Sequence, residues 1–355
     1  MQIKYGKIGK NIIGDYMKHE IDLKNYRIRT DLAIDSIDEN SNLEDVVQNK
    51  HKNGDIEITD VFLGKNNNLG KKEGNYITIE FQDVTDSDNR EKVEEVLIDE
   101  IKKMLKKMKI KKNDSCLIIG LGNEKSTPDS LGPLTINNVI VTNHLFLLGD
   151  LDKGYRRVSA LVPGVMGQTG IDTSDIILSV INTLKPDFLI AIDALASQSI
   201  ERVNKTIQMT DTGIHPGSGI GNKRKEISYD TIGIPVLAIG VPTVVDASVI
   251  VADTINYMYK HYVFNKEYIK NPKSKLTFNN INYLKKEIKI SKNDKKNLLG
   301  LIGTLDDDEI KELIYEVLTP IGYNLMVTPK EVDFVMDKLS LLISNSLNSS
   351  LHSFK

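Results

Sequence analysis

A single cysteine, Cys116, rules out an intrachain disulfide and a cysteine-based metal cluster in this chain of 355 residues. It fits a reducing compartment. No apolar run is long enough for a transmembrane helix. The opening stretch MQIKYGKIGKNIIGDYMKHE lacks the apolar core of a secretory signal. The expectation is a cytoplasmic protein with no membrane attachment. Net charge is small: 46 Lys and Arg against 49 Asp and Glu give −3. No global field draws the chain to nucleic acid, and no direct nucleic-acid partner is expected. No internal repeat of solenoid length is present.

What remains is a composition 40% hydrophobic and 27% charged, ordinary for a globular protein with a sizeable core. Lysines cluster over 102–112 and 260–296. They read either as solvated faces or as a docking surface for an acidic partner. Residues 1–30 are polar and weakly periodic and read as an extension. The loop Leu63–Asn75 reads as a flexible connector before a strand at 76–81.

Val93, Leu97, Ile101, Met104, Leu105 and Met108 recur at helical spacing and predict a helix over 90–109. Strands are predicted at 116–120, 158–164, 188–192 and 235–240. Helices are predicted over about 130–145, over 174–184 with Thr173 as cap, and over 247–262 with Asp246 as cap. Apolar strands alternating with helices predict an α/β fold: a three-layer α/β/α arrangement with a mostly parallel central sheet. The segment 210–225 predicts an inserted loop or hairpin. Two further helices form a C-terminal extension over about 300–347. Thr328-Pro329-Lys330-Glu331 has the pattern of a capping box with proline at the first helical position. One α/β domain over 32–355 accounts for the pattern after the N-terminal extension.

In open α/β sheets, sites form beyond the carboxyl ends of strands. After CLIIG (116–120) the loop reaches Asp129, which reads equally as a helix cap. Gly120 and Gly122 begin a dinucleotide fingerprint, but Lys125 stands where its third glycine is needed. After FLIAI (188–192) comes Asp193, an acid at the end of an apolar strand, costly to bury without a partner. After VSALV (158–162) come Gly164, Gly167, Thr169 and Gly170, a loop able to approach a ligand backbone or simply a turn. His215 lies in the inserted segment.

Two carboxylates a few ångströms apart share a proton, so one can accept a proton from water while the other polarises an amide. Asp129, Asp193 and His215 are alternatively a divalent-metal set, although their spacing has no ligand signature. No cofactor is expected on the first reading.

GLGN-x4-PD-x-LGP at 120–133, LVPGVMGQTG at 161–170, FLIAIDALAS at 188–197, TDTGIHPGSGIGNKRKEIS at 210–228 and GVPTVVDA at 240–247 together resemble the germination protease of spore-forming Gram-positive bacteria. The resemblance runs from about Tyr26 to Thr254 and resumes at MVTPKEVDF (326–334). It implies an endopeptidase that degrades small acid-soluble spore proteins, with Asp129 and Asp193 as the catalytic pair. It also implies a zymogen, since Arg29-Thr30-Asp31-Leu32-Ala33 looks like the family's self-processing site, cut between Asp31 and Leu32. Residues 1–31 would then be a pro-segment. Cleavage after an acidic residue and before an apolar one, a homotetramer and a place in the spore core are implied in the same way. Arg224, or its neighbours Lys223 and Lys225, would read the substrate carboxylate. Gly164, Gly167, Thr169 and His215 would line the substrate path.

The family is similar in fold to hydrogenase maturation endopeptidases, so a metal-dependent maturation peptidase is one alternative. A non-enzymatic nucleotide- or ligand-binding module is another. The RTDLA site has a use only under the first reading.

Overall fold

The computed structural model describes residues 30–39, 43–149, 154–216, 225–270, 288–305, 307–318 and 325–353. Residues 1–29 of the expected pro-segment and Arg224 lie outside them. In chain order the elements are α1 (Ala33–Glu39), β1 (Val46–Asn53), β2 (Ile56–Leu63), β3 (Gly74–Glu80), α2 (Ser87–Lys107), β4 (Cys116–Gly120), α3 (Leu131–Ile136), α4 (Asn143–Leu148), β5 (Val158–Leu161), α5 (Met166–Thr169) and α6 (Thr173–Leu184). They continue with β6 (Phe188–Ser197), β7 (Thr206–Thr210), α7 (Tyr229–Ile232), β8 (Val236–Asp246), α8 (Ala247–Lys270), α9 (Lys292–Leu299), α10 (Asp307–Leu318), β9 (Met326–Val327) and α11 (Val332–Leu351).

Among the described residues the strands form one sheet in the order β1-β2-β3-β7-β8-β6-β4-β5, with β9 on β8. The chain is α/β, and the parallel character is confined to β8, β6, β4 and β5. An antiparallel run β1-β2-β3-β7 extends the sheet beyond β8. Alternation along the strands makes the layers. Ile118, Ile190 and Ile192 enter a core with Val93, Leu97, Ile101 and Met104 of α2 and Met336, Leu339 and Ile343 of α11. Leu117, Ile119, Leu189 and Ala191 face the other way, onto Ile177 and Ile181 of α6. Asp86 caps α2 by accepting from the Asn89 N–H at 2.8 Å. Cys116 is buried in β4, and burial pushes its thiol pKa far up.

Several local expectations are corrected. The helix expected over 130–145 is two short ones, α3 and α4. Between them Thr142 donates to the Arg156 carbonyl at 2.5 Å and accepts from the Val158 N–H at 2.9 Å. Asp172, not Thr173, caps α6, accepting from the Ser174 N–H at 2.9 Å. The capping box at Thr328 does not form: α11 begins only at Val332, with Glu331 in the cap position, and the Thr328 hydroxyl donates instead to the Thr243 carbonyl at 2.9 Å. The hairpin β1-β2 was not expected, although Asn53-Gly54 is a turn signal, with Gly54 at φ 60°. The connector 64–73 is pinned rather than loose. Asn67 Nδ2 donates to the Gly64 and Lys71 carbonyls at 2.8 and 3.0 Å, and Lys72 pairs with Glu226 at 2.5 Å.

Candidate active site

Asp193 does not end its strand. β6 runs four residues further, to Ser197, because β8 continues alongside it, pairing Asp193 with Gly240 and Ser197 with Val245. What ends is β4, whose last residue Gly120 pairs with Ile192. Asp193 therefore stands where β6 outruns its neighbour, at the carboxyl end of the parallel strands. It is 5% exposed, and its Oδ1 accepts from the Ala194 N–H at 2.9 Å.

Asp129 closes a 3₁₀ turn, Thr127–Asp129, that packs against β6 and β8. The turn is tied down at three points. Thr243 Oγ1 of β8 donates to the Pro128 carbonyl at 2.6 Å, the Asp129 N–H donates to the Ser126 carbonyl at 2.8 Å, and the Asn123 N–H donates to the Asp129 carbonyl at 2.9 Å. Gly122 makes this closure possible. Its φ is 109°, and a Cβ there would stand 2.0 Å from the Asp129 carbonyl oxygen. The turn carrying Asp129 is thus laid on the strand carrying Asp193. The cap reading of Asp129 is not borne out, since Ser130 precedes α3 and no side chain caps it.

The segment around Asp31 and Leu32 enters the same end of the sheet. Asp31 lies along β6: its N–H donates to the Ala196 carbonyl at 3.2 Å, and the Ala196 N–H donates to Asp31 Oδ2 at 2.9 Å. Leu32 is fully buried with Ile34, Leu195 and Ile214. Leu195 shares a face of β6 with Asp193, two residues away, and its side chain fills the space over Gly240 that a Cβ would occupy. Gln208 of β7 donates through Nε2 to the Asp31 carbonyl at 3.1 Å and accepts the Ala33 N–H on Oε1 at 2.6 Å.

Two charged groups hold the flanks. Asp35, 2% exposed, accepts from the Thr30 hydroxyl at 2.6 Å, the Gln198 N–H at 2.8 Å and the Ser197 hydroxyl at 3.1 Å. It also pairs with Arg202, whose Nε reaches Glu80 at 3.1 Å. Lys71 Nζ donates to the Thr30 carbonyl at 2.8 Å. Burial lowers the Lys71 pKa, while the Asp31 and Asp35 carboxylates pull it back up.

The other sequence candidates stand nearer the rim. Gly164 has φ 71°, and its carbonyl accepts from the Thr173 hydroxyl at 3.1 Å. Gly167 and Thr169 are exposed on α5, with the Thr169 hydroxyl donating to the Ile171 carbonyl at 3.0 Å. Their loop joins the β4 loop through Gln168 Nε2 and Asn123 Oδ1 at 2.5 Å. His215 is half-exposed, 3.6 Å from Glu226, beside the Ile214 that covers Leu32. Of residues 223–225 only Lys225 is described, and it pairs with Asp175 at 2.7 Å. Among the described residues no three His, Cys, Asp or Glu side chains gather as a metal-ligand set. No helix among them is long and apolar enough to cross a membrane. Sequence reading missed the roles of Ala196, Gln208, Lys71 and Asp35; Ala196 stands in FLIAIDALAS, but nothing in that motif marks its backbone groups as contacts of Asp31.

An α/β sheet that seats its own Asp31–Leu32 segment three residues from Asp193, at the carboxyl end of its parallel strands, suits peptide hydrolysis, and the chain is a peptidase. The germination protease family model matches residues 24–354, and the chain belongs to that family. The match takes in 262–325, where the sequence motifs alone match poorly. The germination protease of Bacillus subtilis (strain 168) is 48% identical over 355 residues, covering 94% of this chain and 96% of the relative. That of Geobacillus sp. (strain WCH70) is 46% identical over 359 residues, covering 95% and 96%. Among solved structures, the [NiFe] hydrogenase maturation protease HycI from Thermococcus kodakarensis KOD1 overlays 37% of this chain and 74% of its own, with TM-score 0.24 and 14% identity.

Proposed function

We propose that this chain is a self-processing endopeptidase of spore germination. Asp129 and Asp193 activate a water that first cuts its own Asp31–Leu32 bond and then cuts small acid-soluble spore proteins. The observation that carries the reading is the seating of Asp31 and Leu32 on β6 within three residues of Asp193. In the reaction one carboxylate takes a proton from water as the water oxygen bonds to the Asp31 carbonyl carbon. The other protonates the departing Leu32 nitrogen as the C–N bond breaks. The products are a carboxylate on Asp31 and an amine on Leu32. General acid–base catalysis of this kind supplies roughly 10²–10⁴-fold.

The subsite explains a preference for an acid before the bond and an apolar residue after it. The carboxylate meets the Ala196 N–H near the Lys71 ammonium, and the following side chain enters the pocket of Ile34, Leu195 and Ile214. On this reading no cofactor is needed. The chain works in the spore core, away from membranes and without direct contact to nucleic acid, as a homotetramer. Exposed apolar residues such as Leu301 and Val317 are candidate interface material.

The test is digestion of a small acid-soluble spore protein by chain freed of residues 1–31, with products mapped by mass. Cuts between acidic and apolar residues, lost in Asp193→Asn, are expected. Cuts without that preference, or an undiminished rate in the variant, would overturn the reading.

A further inference from the structure

The Asp31–Leu32 bond needs more than two acids. As water adds, the Asp31 carbonyl oxygen gains negative charge, and a donor already aimed at it lowers the barrier. Among the described residues, Gln208 donates to that oxygen. It stands on β7 opposite Gly240 of β8, which in turn stands opposite Asp193 of β6. Residues paired across neighbouring strands project from one face. Gln208 and Asp193 therefore share a face with β8 between them, and the Leu195 side chain fills the space over the intervening Gly240.

The orientation of the Gln208 amide is fixed by chemistry. The Ala33 N–H can meet only an acceptor, so Oε1 lies there at 2.6 Å. That leaves the Nε2 donor toward the Asp31 carbonyl at 3.1 Å. Gln208 is 5% exposed; its bond to the Ala33 N–H is buried and its bond to the Asp31 carbonyl partly so. One side chain thus spans the bond to be cut, holding its carbonyl on one side and the next amide on the other.

We propose that Gln208 is a catalytic residue: its Nε2–H stabilises the oxyanion formed at the Asp31 carbonyl, while its Oε1 holds the Ala33 amide in register. In trans the same amide would grip the corresponding groups of a substrate. The assignment rests on the reading that Asp31–Leu32 is the bond hydrolysed with Asp129 and Asp193. In the reaction the proton of Nε2 is not transferred. It strengthens its hydrogen bond as the carbonyl becomes an alkoxide and relaxes when the C–N bond breaks.

The test follows loss of residues 1–31 by intact mass in the full chain, for the native protein, Gln208→Glu, Gln208→Ala and Asp193→Asn. Gln208→Glu, followed at a pH where its carboxyl is ionised, keeps an acceptor for Ala33 and removes the donor; Gln208→Ala removes both. Loss of one oxyanion donor is expected to slow the cut by about 10²–10³-fold. On a peptide spanning the same sequence, kcat is expected to fall with KM nearly constant. A mere tether would instead raise KM and leave kcat alone, and that result overturns the proposal. So does native-rate processing in Gln208→Glu. If Gln208→Ala fails to fold, Gln208→Glu still decides. Failure of the underlying reading looks different: the native chain would not be cut at Asp31–Leu32, or Asp193→Asn would be cut like it.

Discussion

Ala196 offers Asp31 both of its backbone groups. Its carbonyl accepts from the Asp31 N–H at 3.2 Å, and its N–H donates to the Asp31 carboxylate at 2.9 Å. In an ordinary strand pair that N–H would meet a backbone carbonyl. Here the side chain takes the place of the main chain, so the strand edge itself reads an acid.

Replacing that acid has a direct consequence. Asp31→Ala leaves the Ala196 N–H without the carboxylate and leaves Lys71 with the Asp35 charge alone. A hydrogen bond to a charged group contributes about 1.5–3 kcal/mol. Processing of Asp31→Ala is expected to slow by about 10–100-fold, measured as release of residues 1–31. Asp31→Asn, which keeps an oxygen acceptor, is expected to fall between.

Gly122 tests the support of Asp129 from a distance. In Gly122→Ala a Cβ would meet the Asp129 carbonyl oxygen at 2.0 Å, and the φ of 109° strains any side chain. The turn must shift, and a misplacement of about 1 Å costs about 10²-fold in rate. The expected outcome is self-cleavage slowed by that factor while the circular dichroism spectrum stays native.

Asp35 holds the start of α1 against β6 and neutralises Arg202. Arg202 keeps Glu80, so the loss is that of hydrogen bonds to a buried charged group, about 1.5–3 kcal/mol. Asp35→Ala is expected to lose that much in urea unfolding of the full chain.

His352 gives the fold an acid limit. Its Nδ1 accepts from the Arg156 N–H at 3.2 Å, which requires the neutral ring. Burial lowers its pKa below the ordinary 6.5; the Ile140 carbonyl opposes this, and Arg156 adds to it. The unfolded chain then binds the proton more readily than the folded one. The His352 contribution to stability is intact above pH 6.5 and declines as pH falls from there toward the lowered value. Urea midpoints across this range are expected to fall less steeply in His352→Asn.

Local and non-local information separate cleanly here. Helix α2 and the buried strands β4, β6 and β8 were readable because apolar spacing alone makes them. The length of β6 was not, since only the neighbouring β8 decides that Asp193 lies inside the strand. Thr328 carries the pattern of a cap but bonds across the fold to Thr243. Gln208 and Lys71 were invisible for the same reason. Their partners, Asp31 and Thr30, lie 177 and 41 residues away along the chain. The candidate aspartates stood out through strand-end position and family resemblance, and the residues that grip the peptide emerged only once β7 was seen beside β8.

The most direct measurement is the intact mass of the full chain after incubation at mildly acidic pH, with Asp129→Asn and Asp193→Asn alongside. The account predicts a new N-terminus at Leu32 in the native chain and an unchanged mass in both variants. A cut at another bond, or native-rate processing in either variant, would contradict it.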